Sequence, residues 1–145
     1  MFKPKLARDL GGLADRLGEL AEVPSRAARD IADDFDAFLA EGFASKHDPY
    51  GNAWAPLEQS TVDRKGGDTT ILEETGTLRE ETHAAPTRGA GIEFRSAPYG
   101  FFHNAGTASM VPRKILPDGP ALPVQWTQAM RDRLSAAFKG GARRA

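Results

Sequence analysis

The chain contains no cysteine, which excludes a disulfide framework and any thiolate metal site and leaves packing to hold the fold. Histidine is scarce: only His47, His83 and His103 are present, and no His-Glu-x-x-His or comparable ligand spacing joins them. No apolar run approaches the roughly 20 residues of a membrane-spanning helix. Lys3 and Lys5 are not followed by the uninterrupted apolar stretch of an export signal. A soluble, unexported protein with no membrane partner is expected. An excess of one charge is missing too, since 19 basic residues face 20 acidic ones for a net −1, which argues against a general attraction to polyanions. The exception is local: within 125–145 five basic side chains face only Asp132.

What is present is enough for one domain. A chain of 145 residues buries roughly two-thirds of its unfolded surface when compact, so 1–145 reads as a single unit. Fifteen glycines and ten prolines exceed ordinary usage without reaching low complexity, which implies long ordered loops. Leu6, Leu10, Leu13, Leu17 and Leu20 recur in steps of four and three and predict an amphipathic helix despite the Gly11-Gly12 pair. A second helix is expected from near Pro24, with Ala27, Ile31, Phe35, Phe38, Leu39 and Phe43 on one face. Asp30, Asp33, Asp34 and Asp36 fall largely off that stripe and read as a solvated face; nothing in the sequence completes a metal site around them.

The helical pattern stops at Asp48-Pro49-Tyr50-Gly51-Asn52-Ala53-Trp54-Ala55-Pro56-Leu57. Both prolines push the residue before them out of the α region, while Gly51 and Asn52 tolerate a tight turn. The stretch still carries Tyr50, Trp54 and Leu57, which a freely solvated linker has little reason to hold. From Asp48 to Leu78 the chain shows no convincing long element, a length uncommon inside a compact domain unless it is functional. The segment 48–78 is therefore expected to be an extended ordered loop or an assembly arm, with its aromatics covered either by the rest of the subunit or by another subunit.

The second half predicts a small antiparallel sheet. A β-prone run at 69–72 comes first, then strands over 80–86 and 92–96 joined through Thr87-Arg88-Gly89-Ala90-Gly91 as a hairpin. A single helical turn around Tyr99-Gly100-Phe101-Phe102-His103 should end at Gly106. Val111 to Pro117, bounded by prolines, suits a sheet edge or a subunit contact. Trp126, Met130, Leu134 and Phe138 predict a last helix that stops at Gly140-Gly141, leaving 139–145 as a mobile basic tail. The fold class is thus α+β: N-terminal helices, a long ordered loop, a small sheet with a hairpin, and a C-terminal helix.

Catalytic chemistry is not legible. Lys65-Gly66-Gly67 lacks the spaced glycines and Lys-Ser/Thr ending of a phosphate loop. The serines occupy no nucleophile elbow. His103 is the one residue to weigh as a general base, and no nucleophile or orienting carboxylate stands beside it in sequence. Neither cofactor nor catalytic residue is expected. The alternative reading is a small DNA-binding module acting through Lys139, Arg143 and Arg144.

Taken in order, these marks resemble the phage virion morphogenesis family, the tail completion and head-tail joining proteins of tailed bacteriophages. The matching residues are Phe43, the run from Asp48 to Leu57, Thr61, Lys65, Leu72 and Thr75-Gly76-Thr77-Leu78-Arg79, then Tyr99, His103, Gly106, Pro112-Arg113 and Leu116. The resemblance spans about residues 24–117. It implies a ring-forming structural component of the virion neck or tail end, assembled in the host cytoplasm and without an active site. The implied partners are further copies of itself, by analogy a hexamer, together with adjacent neck, connector or tail-tube proteins, and a weak contact with packaged DNA. The assembly residues expected on this basis are Tyr50, Trp54, Leu57, Leu78, Tyr99, Phe102, His103, Arg113 and Leu116.

Overall fold

The computed structural model describes residues 22–72 and 76–144; the leucine stripe from Leu6 to Leu20 lies outside them. The chain's spine is helix α1, Val23–Ser45. Pro24 sits in its first turn, where a missing N–H costs nothing. The helix ends because Lys46 takes a left-handed conformation (φ 59°) and the N–H groups of Lys46 and His47 both turn back to the Gly42 carbonyl. A side chain at Gly42 would meet the His47 carbonyl at 3.1 Å, so glycine lets the exit close.

Among the described residues five further elements lie between α1 and the last helix: α2 (Gln59–Arg64), α3 (Thr77–Glu81), the hairpin strands β1 (His83–Pro86) and β2 (Ile92–Arg95), and α4 (Gly100–Ala105). The hairpin pairs antiparallel in the register His83 with Arg95 and Pro86 with Ile92. Helix α5 spans Val124–Arg144. The architecture is α+β, with the hairpin and α5 packed on α1.

Two clusters form the core, and both use the apolar stripe of α1. Ala27, Ile31, Phe35 and Leu39 meet Trp126 of α5, with Phe94 and Ile92 of β2 packed against them. Ring centroids lie 5.0 Å apart for Phe35 and Trp126 and 5.9 Å apart for Phe94 and Trp126, each such pair contributing about 0.5–1.5 kcal/mol beyond area burial. The second cluster joins Phe43, at the far end of the stripe, to Trp54, Ile71, Leu78, Ala97 and Ile115. Leu116 packs against both clusters.

Several expectations are corrected. The residues Glu80 and Glu81, expected in a strand, belong to α3, which Gly76 opens with φ 77° and which buries Leu78. The run at 69–72 forms no strand; it inserts Ile71 into the core, and Leu72 has φ 60°. Val111 to Pro117 is no sheet edge. Its N–H groups at Ile115 and Leu116 both donate to the side-chain oxygen of Asn104, each at 2.8 Å, and Ile115 is buried. Helix α5 runs on through Gly140 to Arg144. A helical glycine costs about 1 kcal/mol relative to alanine, which weakens the pattern without blocking the helical backbone.

The acidic face of α1 is structural as well as solvated. Asp34 receives both Nε and Nη2 of Arg133 at 2.8 Å, fixing α5 to α1. Asp36 accepts the Ala84 N–H at 3.0 Å and faces His83 Nδ1 at 3.2 Å, fixing the hairpin to α1. Hydrogen bonding from the Arg133 guanidinium holds the Asp34 carboxyl below the usual aspartate value, and burial opposes that only in part.

Candidate functional site

The segment after α1 is a closed loop built around Asp48. Its carboxylate accepts the N–H groups of Tyr50 (2.8 Å) and Asn52 (2.9 Å) and the Asn52 side-chain amide (3.0 Å), as short-range Asx bonding predicts. Gly51 supplies the positive φ of 90° that the turn requires. The loop closes where Trp54 N–H donates to the Lys46 carbonyl at 2.8 Å.

This closure determines where the two aromatics go. Trp54 is 7% exposed, meets Phe43 edge-on at 5.5 Å, and donates its indole N–H to the Lys114 carbonyl at 2.8 Å. Of the two covers expected for Trp54, its own subunit or another, the chain itself supplies one, because both the ring and its polar handle find partners there. Tyr50 is more open. Its hydroxyl accepts the Gly119 N–H (2.8 Å) and donates to the Ala121 carbonyl (3.1 Å), and Lys114 Nζ stands 5.9 Å from its ring centre.

Arg113 draws the loop onto the aromatic turn. Its Nε and Nη2 donate to the carbonyls of Ala55 and Pro56, each at 2.7 Å, and its N–H donates to the His103 carbonyl at 2.8 Å. The side chain is only 9% exposed. Asn104, also buried, receives the N–H groups of Ile115 and Leu116 and faces Asp118 at 3.3 Å. Gly106 turns the chain out with φ 74°; a Cβ there would lie 2.9 Å from Pro112.

Helix α4, held from behind in this way, turns its aromatics outward. Phe101 is 71% exposed, Phe102 52% and the adjoining Tyr99 42%. Phe101 and Phe102 lie edge to face at 6.1 Å, and Val111 is exposed as well. Of the expected assembly residues, Tyr50, Tyr99 and Phe102 reach the surface. Trp54, Leu78 and Arg113 are buried, and Leu57, His103 and Leu116 are half-buried. Phe101, the most exposed of these aromatics, escaped the sequence reading. Its position after Gly100 was the signal available, since in so short a helix neighbouring positions point to different sides.

Between the loop and the turn lies a cleft of about 640 Å³, lined among others by Leu57, Leu72, Leu78, Tyr99, His103 and Arg113. His103 Nδ1 is buried there without a hydrogen-bond partner among the described residues. Burial first, and the Arg113 charge second, hold the His103 imidazole below the ordinary histidine value. A general base needs a partner to pass the proton on, and no carboxylate among the described residues bonds to this ring. No group of three or more His, Cys, Asp or Glu among the described residues is placed to hold a metal ion. No described helix is long and apolar enough to cross a membrane.

In this scaffold polar groups hold the loops together and an aromatic turn is left bare. The model of the phage virion morphogenesis family matches residues 5–135. The chain belongs to the phage virion morphogenesis family. Comparisons with curated proteins and with solved structures returned no match. Family membership makes this a phage structural protein, associated with the virion and its morphogenesis. The DNA-binding alternative finds no support in the match.

Proposed function

We propose that the protein is a ring-forming subunit of the virion neck or tail end, a tail completion or head-tail joining protein that works without catalysis. The observation that carries the reading is the bare aromatic turn of α4. Fully burying one phenylalanine side chain is worth about 1.5–3 kcal/mol, so leaving Phe101, Phe102 and Tyr99 together in water points to a surface completed by another subunit. The turn is also held in place. Asn104 and Arg113 fasten it to the core from behind, so docking orders little that is not ordered already.

A ring requires a head-to-tail contact in which two different patches of each subunit meet. The aromatic turn supplies one. Helix α2 has no buried residue and offers its exposed side chains to neighbouring copies or to adjoining neck, connector or tail-tube proteins. Native mass measurement at high protein concentration tests this: a cyclic oligomer is expected, six subunits by analogy with tail symmetry. A strictly monomeric chain that also fails to enter purified virions would overturn it.

A further inference from the structure

The clearest unmet chemistry in the molecule lies in the cleft behind the aromatic turn. Arg113 carries five N–H donors, and among the described residues its side chain bonds only to the neutral carbonyls of Ala55 and Pro56. No carboxylate among the described residues pairs with it. Glu58 also lines the cleft, but no ion pair or hydrogen bond joins it to Arg113. The His103 ring lines the same cleft, and its buried Nδ1 has no hydrogen-bond partner among the described residues. Lys65, on the same cleft, is already tied to Asp68 and to the Thr70 carbonyl. Buried cations are ordinarily paired, because taking an isolated charge out of water costs several kcal/mol.

The geometry points to this cleft as a receptor for an acidic side chain, an aspartate or glutamate flanked by apolar residues, presented by an adjoining virion protein. The carboxylate would take a charge-assisted bond from Arg113, with the His103 ring lining the same cleft. Leu57, Leu72, Leu78, Met110 and Val111 would pack the apolar flanks. That mixed lining favours a peptide over a phosphodiester backbone, which brings charge without apolar side chains. The naming of the partner rests on the virion-assembly reading; the chemistry of the cleft does not.

Arg113 also ties down Ala55 and Pro56, so the test keeps the full wild-type chain and varies the ligand. The imidazole signals of His103 are followed by NMR as pH is varied, with acetyl-Leu-Glu-Leu-amide, with its Gln counterpart, and with inorganic phosphate. The Glu peptide is expected to raise the His103 midpoint by about one unit, as an opposite charge within a few ångströms does. It should also bind about tenfold more tightly than the Gln peptide, the ratio expected from one charge-assisted bond. Equal responses to the two peptides, or none, overturn the assignment. A larger response to phosphate makes the cleft a phosphate site and overturns it as well. If Glu73→Gln with Glu74→Gln lowers the His103 midpoint in the free protein, the carboxylate is the chain's own. If the midpoint rises with protein concentration alone, a second copy fills the cleft. Either result also ends the proposal. Ring formation is read separately by mass, so a ring whose His103 ignores the Glu peptide removes the cleft and leaves the ring.

Discussion

Trp54 finds its cover within its own chain. Its ring closes one core cluster, and its indole N–H satisfies Lys114, sixty residues further on. Trp54→Ala should therefore cost about 3–5 kcal/mol in urea unfolding, and any loss of assembly would follow from lost folding. Trp54→Phe keeps most of the packing but leaves the Lys114 carbonyl unpaired, at a cost of about 1–2 kcal/mol. A Trp54→Ala protein as stable as wild type would contradict the burial. Asp34 gives a pH signature. Its folded value is depressed below the ordinary 3.8, so the stabilisation it contributes is complete above that value and is lost as pH falls through the depressed one. Melting temperatures of wild type and Asp34→Asn should differ at neutral pH and converge in strong acid. A gap that widens on acidification would contradict the Arg133 pairing.

Among the elements, the two glycines expected to end helices make opposite predictions. Gly140 lies inside α5 with nothing within 4 Å of a Cβ placed there. Gly140→Ala should raise stability by up to about 1 kcal/mol, checked by thermal unfolding followed by circular dichroism. Gly106 ends α4 with φ 74° against Pro112. Gly106→Ala should lower stability by about 1–2 kcal/mol from backbone strain alone, and the contact with Pro112 adds to it. The sequence marks both positions only as breaks. Glycine is permissive, so its presence allows a turn without requiring one, and the surroundings decide.

For the protein as an assembly unit, the exposed aromatics separate folding from function. Phe101→Ser combined with Phe102→Ser removes apolar surface that already faces water. The monomer's melting temperature should stay unchanged or rise, while the oligomer seen by native mass measurement is lost. A double variant that still forms the wild-type oligomer would take the aromatic turn out of the interface. The contrast with Trp54 is instructive, because both sites are aromatic and both lie close to glycine or proline in sequence.

The helices α1 and α5, the hairpin and the turn at Gly51 were legible in the order of residues alone. Each rests on local physics: the period of apolar side chains, the fixed φ of proline, the freedom of glycine. Family membership was legible for a related reason, since it rests on the succession of such local marks. Other features arose only in three dimensions. Asp34 and Asp36 look like any solvated carboxylates until α5 and β1 arrive with Arg133 and Ala84. Arg113 looks like a surface cation until Ala55 and Pro56 close over it. Whether Trp54 or Phe101 faced inward depended on partners some sixty residues away in one case and on the way α4 is fastened in the other. Contacts so distant in sequence leave no periodic trace along the chain, and only the folded backbone decided which aromatic was buried and which was left for a neighbour.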